Sequence, residues 1–85
     1  MKATVCLFAR LSELAGRREI EVELGEGLSA GDVYRLLCTR HPELAGYEGS
    51  VMYAINAEYV PPEHPLQDGD ELALIPPVSG GAHVV

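Results

Sequence analysis

Leu28-Ser29-Ala30-Gly31-Asp32-Val33-Tyr34-Arg35-Leu36-Leu37-Cys38-Thr39-Arg40-His41-Pro42 carries both the start and the stop signals of a helix. Ser29 stands where a hydroxyl caps the first free backbone N–H groups. Asp32, three residues on, completes a capping box, and Leu28 and Val33 flank it as a hydrophobic staple. The pattern predicts a helix that starts near Ala30 and stops near Arg40, with Val33, Leu36 and Leu37 as its apolar stripe. Arg40 and His41 suit the negative end of the helix dipole, and Pro42 cannot continue the helix.

The flanking segments read as strands. Upstream, residues 18–24 alternate Ile20, Val22 and Leu24 with Glu19, Glu21 and Glu23, the pattern of a strand with one buried and one charged face. Residues 2–8 mix apolar and β-branched side chains and predict a partner strand. Between the two, residues 9–16 predict a loop holding one helical turn. Downstream, residues 42–50 predict a loop and residues 51–56 a strand. Asn56-Ala57-Glu58 predicts a turn, and Tyr59-Val60 a short strand stopped by Pro61-Pro62. Asp68-Gly69 turns the chain into a last strand over residues 71–75. This order supplies one main helix to cover one face of a mixed sheet, an α+β, β-grasp (ubiquitin-like) arrangement. The expected division is a β-grasp domain over residues 1–76 and a flexible tail over residues 77–85, with Gly-Gly at 80–81.

Side-chain parity says what lies on the uncovered face. If Val5, Leu7, Leu72 and Leu74 point at the helix, then Thr4, Cys6, Phe8, Ala73 and Ile75 point away. Phe8, Ile75 and Tyr59 would then form an exposed apolar patch of the kind that marks partner surfaces. Parity alone does not separate this patch from apolar groups scattered singly over a surface.

Composition narrows the classes of function. Eighty-five residues make one small domain with room only for a shallow site. Thirteen Asp and Glu against six Lys and Arg give a net charge of −7, which disfavours a nucleic-acid partner and favours a basic one. No apolar stretch is long enough to span a bilayer, and Met1-Lys2-Ala3-Thr4 does not open a signal peptide, so a cytoplasmic, membrane-free protein is expected. The carboxylates are dispersed, and those of Glu19, Glu21 and Glu23 read as a solvated strand face. His41, His64 and His83 have no metal-binding spacing, so no metal is expected. Ser12, Ser29, Ser50 and Ser79 lack the context of a nucleophile. Cys6 and Cys38 are too few for a ferredoxin cluster and form no CxxC pair.

What remains is Ile75-Pro76-Pro77-Val78-Ser79-Gly80-Gly81, a stiff Pro-Pro step followed by residues with small side chains. Such a thread leaves a domain in a set direction and can enter a narrow channel. Its chemistry would reside in a glycine carboxylate, which ATP can activate as an acyl-adenylate and a sulfur donor can convert to a thiocarboxylate. A frayed Gly-rich terminus has the same composition.

The residues also resemble a known family. Leu7-Phe8-Ala9 with Glu13-Leu14-Ala15-Gly16, Ala54-Ile55-Asn56 with Tyr59-Val60, and His64-Pro65-Leu66 are its weaker markers. The run Leu66-Gln67-Asp68-Gly69-Asp70-Glu71-Leu72-Ala73-Leu74-Ile75-Pro76-Pro77-Val78-Ser79-Gly80-Gly81 is the strong one. From Val5 to Gly81 the chain is similar to the ubiquitin-like sulfur carriers typified by the small subunit of molybdopterin synthase, with the thiamine-pathway carrier a more distant relative. The resemblance implies that Gly81, with Gly80 beside it, is the acyl carrier, adenylated with ATP by a ubiquitin-activating-like adenylyltransferase. It implies no bound cofactor. It further implies that Val78, Ser79 and the two glycines insert into the synthase large subunit, where sulfur passes to cyclic pyranopterin monophosphate. Phe8, Tyr59, Ile75 and Pro77 would join them in binding partners, in a heterotetramer of two small subunits on a large-subunit dimer.

One departure matters chemically. Members of that family usually end at the second glycine, whereas Ala82-His83-Val84-Val85 follow here and hold the Gly81 carbonyl in an amide that cannot be adenylated. Either a processing protease removes residues 82–85, or the chain is a non-catalytic β-grasp interaction module, or the extension was appended to the natural sequence. Trimming leads, because an apolar ending is not typical of a purification tag. Related carriers or modifiers serving thiamine synthesis, tRNA thiolation or protein conjugation share the same markers.

Overall fold

Ser29 caps α2 (Ala30–Arg40) as the spacing predicts. Its Oγ accepts the Asp32 N–H at 3.2 Å, and Asp32 Oδ2 accepts the Ser29 N–H at 3.0 Å. The next free donors of the helix are taken by a neighbouring segment: Ala30 N–H donates to the His64 carbonyl at 2.9 Å and Gly31 N–H to the Pro62 carbonyl at 2.8 Å. That close approach requires a glycine, since a Cβ at residue 31 would lie 3.2 Å from Pro62 Cβ.

The computed structural model describes residues 1–77. Around α2 it places β1 (Lys2–Leu7), α1 (Arg10–Ala15), β2 (Glu19–Glu23), β3 (Met52–Ile55), β4 (Glu58–Val60) and β5 (Glu71–Ile75). The sheet order is β2-β1-β5-β3-β4, with β1 and β5 parallel at the centre and the other pairs antiparallel. One helix across one face of this mixed sheet is the β-grasp arrangement that the element order predicts. No helix among the described residues is long and apolar enough to cross a membrane.

Parity holds in the core. Val5, Leu7, Leu72 and Leu74 are buried together with Ile20 and Val22 against the helix. Burying each such side chain contributes about 1.5–3 kcal/mol. The helix stripe differs from the predicted one. Ala30, Val33, Tyr34 and Leu37 are buried, whereas Leu36 is 43% exposed. A rotation of the buried arc toward residue 34 brings in Tyr34, whose hydroxyl donates to the Leu44 carbonyl and so satisfies its one polar atom. This contact also explains a second difference. The sequence pattern predicts a loop over residues 42–50, but Pro42–Tyr47 forms a 3₁₀ helix, started by Pro42 in its first turn and anchored by fully buried Leu44.

The two ends of the sheet are finished differently. At the start of β1 and β5, Lys2 N–H donates to Asp68 Oδ1 and Gly69 N–H to the Lys2 carbonyl, both at 2.7 Å. Asp70 Oδ2 accepts Gln67 N–H at 2.8 Å, and its Oδ1 accepts from Asn56 Nδ2 at 3.0 Å. Glu71 N–H donates to Asn56 Oδ1 at 3.0 Å. One acidic turn thus ties β1, β5 and the β3–β4 hairpin together. At the other end β1 stops at Leu7, one residue short of the prediction, and Phe8 retains one strand-like bond, its N–H to the Leu74 carbonyl at 3.3 Å. The chain leaves β5 there through Pro76, which is buried, and Pro77, which is exposed. The tail expected beyond Pro77 lies outside the described residues.

Candidate partner-docking site

The face of the sheet opposite α2 is split by chemistry, and strand register shows where. On β2 and β1 it carries Glu19, Glu21 and Glu23 beside Cys6, Thr4 and Lys2, with Glu71 following on β5. Across β5, β3 and β4 it turns apolar. Ile75 pairs with Met52, and Ala73 pairs with Ala54, which pairs with Tyr59. Phe8 is 48% exposed, Met52 50% and Tyr59 70%, while Ile75 is half-buried. Both edges of the face therefore follow from period-two alternation in neighbouring strands.

Phe8, Ile75 and Pro77 come together. With Ala9, Tyr47, Pro76 and the Arg10–Glu13 ion pair they line one open groove of about 780 Å³ at the exit of β5. Tyr59 is on the same face but lines a separate hollow of about 320 Å³ with Met52, Val60, Pro61 and Pro62. Met52 bridges the two, since it pairs with Ile75 on one side and lines the Tyr59 hollow on the other. Sequence reasoning assigns Met52 and Tyr47 no role and names Ala9 only within a family marker. The parity of residues 51–56, read as Tyr59 was, would have found Met52; Ala9 and Tyr47 reach the groove only through tertiary contacts. Val78, Ser79, Gly80 and Gly81 lie outside the described residues.

The acidic half offers one grouping with ligand chemistry. Cys6 Sγ and a carboxylate oxygen from each of Glu19 and Glu71 lie within 4.8 Å of one another. Burial, and then the two carboxylates, push the Cys6 thiol pKa up, which keeps it protonated and a poor nucleophile. Burial likewise raises the Cys38 thiol on α2. Neither thiol is activated as a nucleophile, and the apolar half of the face is exposed surface around two open hollows.

Comparison with known proteins gives the family. The ThiS family profile matches residues 5–81, from the first core strand to the second glycine of the tail.

The chain belongs to the ThiS family.

The family match stops at Gly81, so residues 82–85 lie beyond it. Within the family, the molybdopterin synthase sulfur carrier subunit of Chlamydomonas reinhardtii is 41% identical over 83 residues, covering 95% of this chain and 100% of that one. The crystal structure of SAMP1 from Haloferax volcanii superimposes with a TM-score of 0.81 at 31% identity, covering 95% of this chain and 100% of that one. A complex of subunits 1 and 2 of molybdopterin-converting factor from Helicobacter pylori 26695 contains the same ThiS-type fold, with a TM-score of 0.67 at 23% identity and coverage of 95% and 100%.

Proposed function

We propose that this chain is the sulfur carrier subunit of a molybdopterin synthase. The reaction begins once residues 82–85 are removed. The freed Gly81 carboxylate attacks ATP on an adenylyltransferase, forming an acyl-adenylate and releasing pyrophosphate. A sulfur donor displaces AMP and leaves a terminal thiocarboxylate. The large subunit receives this end, and the sulfur passes to cyclic pyranopterin monophosphate. In this reading no acid, base or metal among the described residues takes part in the chemistry. Its parts are a glycine without a Cβ to obstruct two different active sites, a Pro-Pro step that directs the thread, and an apolar face that docks.

The observation that carries the reading is the groove formed by Phe8, Ile75 and Pro77. It places exposed apolar surface where the chain departs toward Gly81, four residues beyond Pro77. Similarity to carriers named as molybdopterin synthase subunits, at 41% identity over nearly the whole chain, supports this pathway over other sulfur transfers. The test uses a form ending at Gly81, its adenylyltransferase, ATP and a sulfur source. Mass spectrometry should show one oxygen replaced by sulfur, and the full chain should show no gain. Failure of the Gly81 form to gain mass defeats the proposal. Intact mass of protein from its native cell should show loss of residues 82–85; only full-length chain there would favour an interaction module.

The likeness to SAMP1 supports a second reading, protein conjugation through the same acyl-adenylate. Adducts joining Gly81 to lysines of other proteins would identify it.

A further inference from the structure

Among the described residues, non-glycine residues take positive φ at three positions: Ala9, Asn56 and Ala57. Asn56 and Ala57 are the two central residues of the β3–β4 hairpin, a turn whose twist demands positive φ at both. Ala9 has no such excuse. It joins β1 to α1 with φ 52° and ψ −127°, a conformation that glycine adopts with little penalty and alanine resists. Hydrogen bonding holds it there. The Ala9 carbonyl accepts Ser12 N–H at 3.1 Å, Glu13 N–H at 3.3 Å and Ser12 Oγ at 2.8 Å, while the preceding Phe8 carbonyl accepts Leu11 N–H at 3.0 Å.

A methyl group at a position that favours none needs a reason outside the backbone. Ala9 is exposed, so its methyl fills no core. With Phe8 it lines two hollows, the 780 Å³ groove at the β5 exit and a 360 Å³ one beside Cys6 and Arg18, so the two residues form the ridge between them. The four residues that follow Pro77 and end at Gly81 can reach at most about 14 Å. Any partner that holds Gly81 in its active site must therefore bring its surface down around this ridge.

We propose that Ala9 is a specificity-determining contact of the docking face, its methyl kept against backbone preference because the large subunit packs an apolar side chain on the Phe8–Ala9 ridge. This rests on the carrier reading given above.

The test measures melting temperature and affinity for the large subunit by calorimetry, on the full chain and on the form ending at Gly81. Ala9→Gly should melt about 4 °C higher, because strain is relieved. It should also bind about fourfold more weakly, the effect of one lost methyl contact. Ala57→Gly relieves a positive φ at the opposite end of the sheet, and should raise the melting temperature without changing affinity. Unchanged binding by Ala9→Gly, or equal weakening by Ala57→Gly, overturns the proposal while leaving the carrier reading intact. If neither native form binds the large subunit, the carrier reading fails and takes this one with it.

Discussion

The sheet has one end that is tied and one that is left open, and their difference separates what the fold needs from what a partner needs. At the tied end, hydrogen bonds of Asp68, Asp70 and Asn56 join β1, β5 and the β3–β4 hairpin turn. At the open end, Phe8 and Pro77 are exposed, Ala9 is strained, and apolar surface faces out. Hydrogen bonds close a structure on itself, because they are satisfied internally and gain little from an added protein. Exposed apolar surface has the opposite property, since its burial is favourable only when something covers it. The strong family marker Leu66 to Gly81 thus serves both ends: Gln67 to Glu71 hold the fold, while Ile75 to Pro77 join the weaker marker's Phe8 and Ala9 in lining the open groove.

The largest expected effect comes from placing a charge at the open end. Phe8→Asp should weaken association with the large subunit about a hundredfold, since an anchor is lost and a carboxylate would have to be desolvated. The melting temperature should move by no more than about 3 °C, because Phe8 is half-exposed and outside the core. Native affinity in this variant would break the assignment of the two ends. The converse change is Asp70→Ala, which removes the acceptor shared by Gln67 and Asn56. It should cost about 2 kcal/mol and lower the melting temperature by about 10 °C, with the affinity of the folded fraction unchanged. A smaller effect at the same end isolates the backbone. Gly69 has φ +87° and open space where a Cβ would be, so Gly69→Ala should cost about 1 kcal/mol through conformation alone. Equilibrium urea unfolding measures both.

Most of the tied end was legible in the sequence, and the open end only in part. A capping box and a turn glycine act within four residues, so Ser29, Asp32 and Asp68-Gly69 declared the helix start and the final turn before any contact was known. Period-two parity likewise separated Val5 and Leu7 from Phe8. What failed to show were choices made between elements. Residues 33, 36 and 37 and residues 30, 33, 34 and 37 are both acceptable helix stripes, and only the packing of Tyr34 against Leu44 and, edge-on at 6.4 Å, against Tyr53 selects the second. The same contact turns residues 42–47 into a helix. The conformation of Ala9 is imposed by bonds from α1 and has no local signal, so parity exposes Phe8 on the ridge and leaves Ala9 unmarked.

The smallest effect concerns acid. Hydrogen bonds from Ser29, with the Arg35 guanidinium at 3.1 Å as a lesser cause, hold the Asp32 carboxyl below the usual carboxylate range. A folded-state value below the unfolded one means that the folded chain binds fewer protons as pH approaches the ordinary aspartate value. The stability from this group is therefore complete above that value and is lost as pH falls through the lowered one. Asp32→Asn should flatten part of the acid limb of a urea-midpoint curve and lower stability near neutrality, where the native carboxylate accepts the Ser29 N–H. Because Ser29 bridges to Pro65, beside the acidic turn, the loss should appear on the tied side. Protection against amide exchange, taken relative to the intrinsic rate at each pH, should fall at residues 29–32 of the native protein at low pH and stay unchanged at Leu11 and Ser12, whose partners are the neutral carbonyls of Phe8 and Ala9. Equal loss of protection at both places would mean that acid acts on the whole molecule through its net charge, and that the two ends do not open separately.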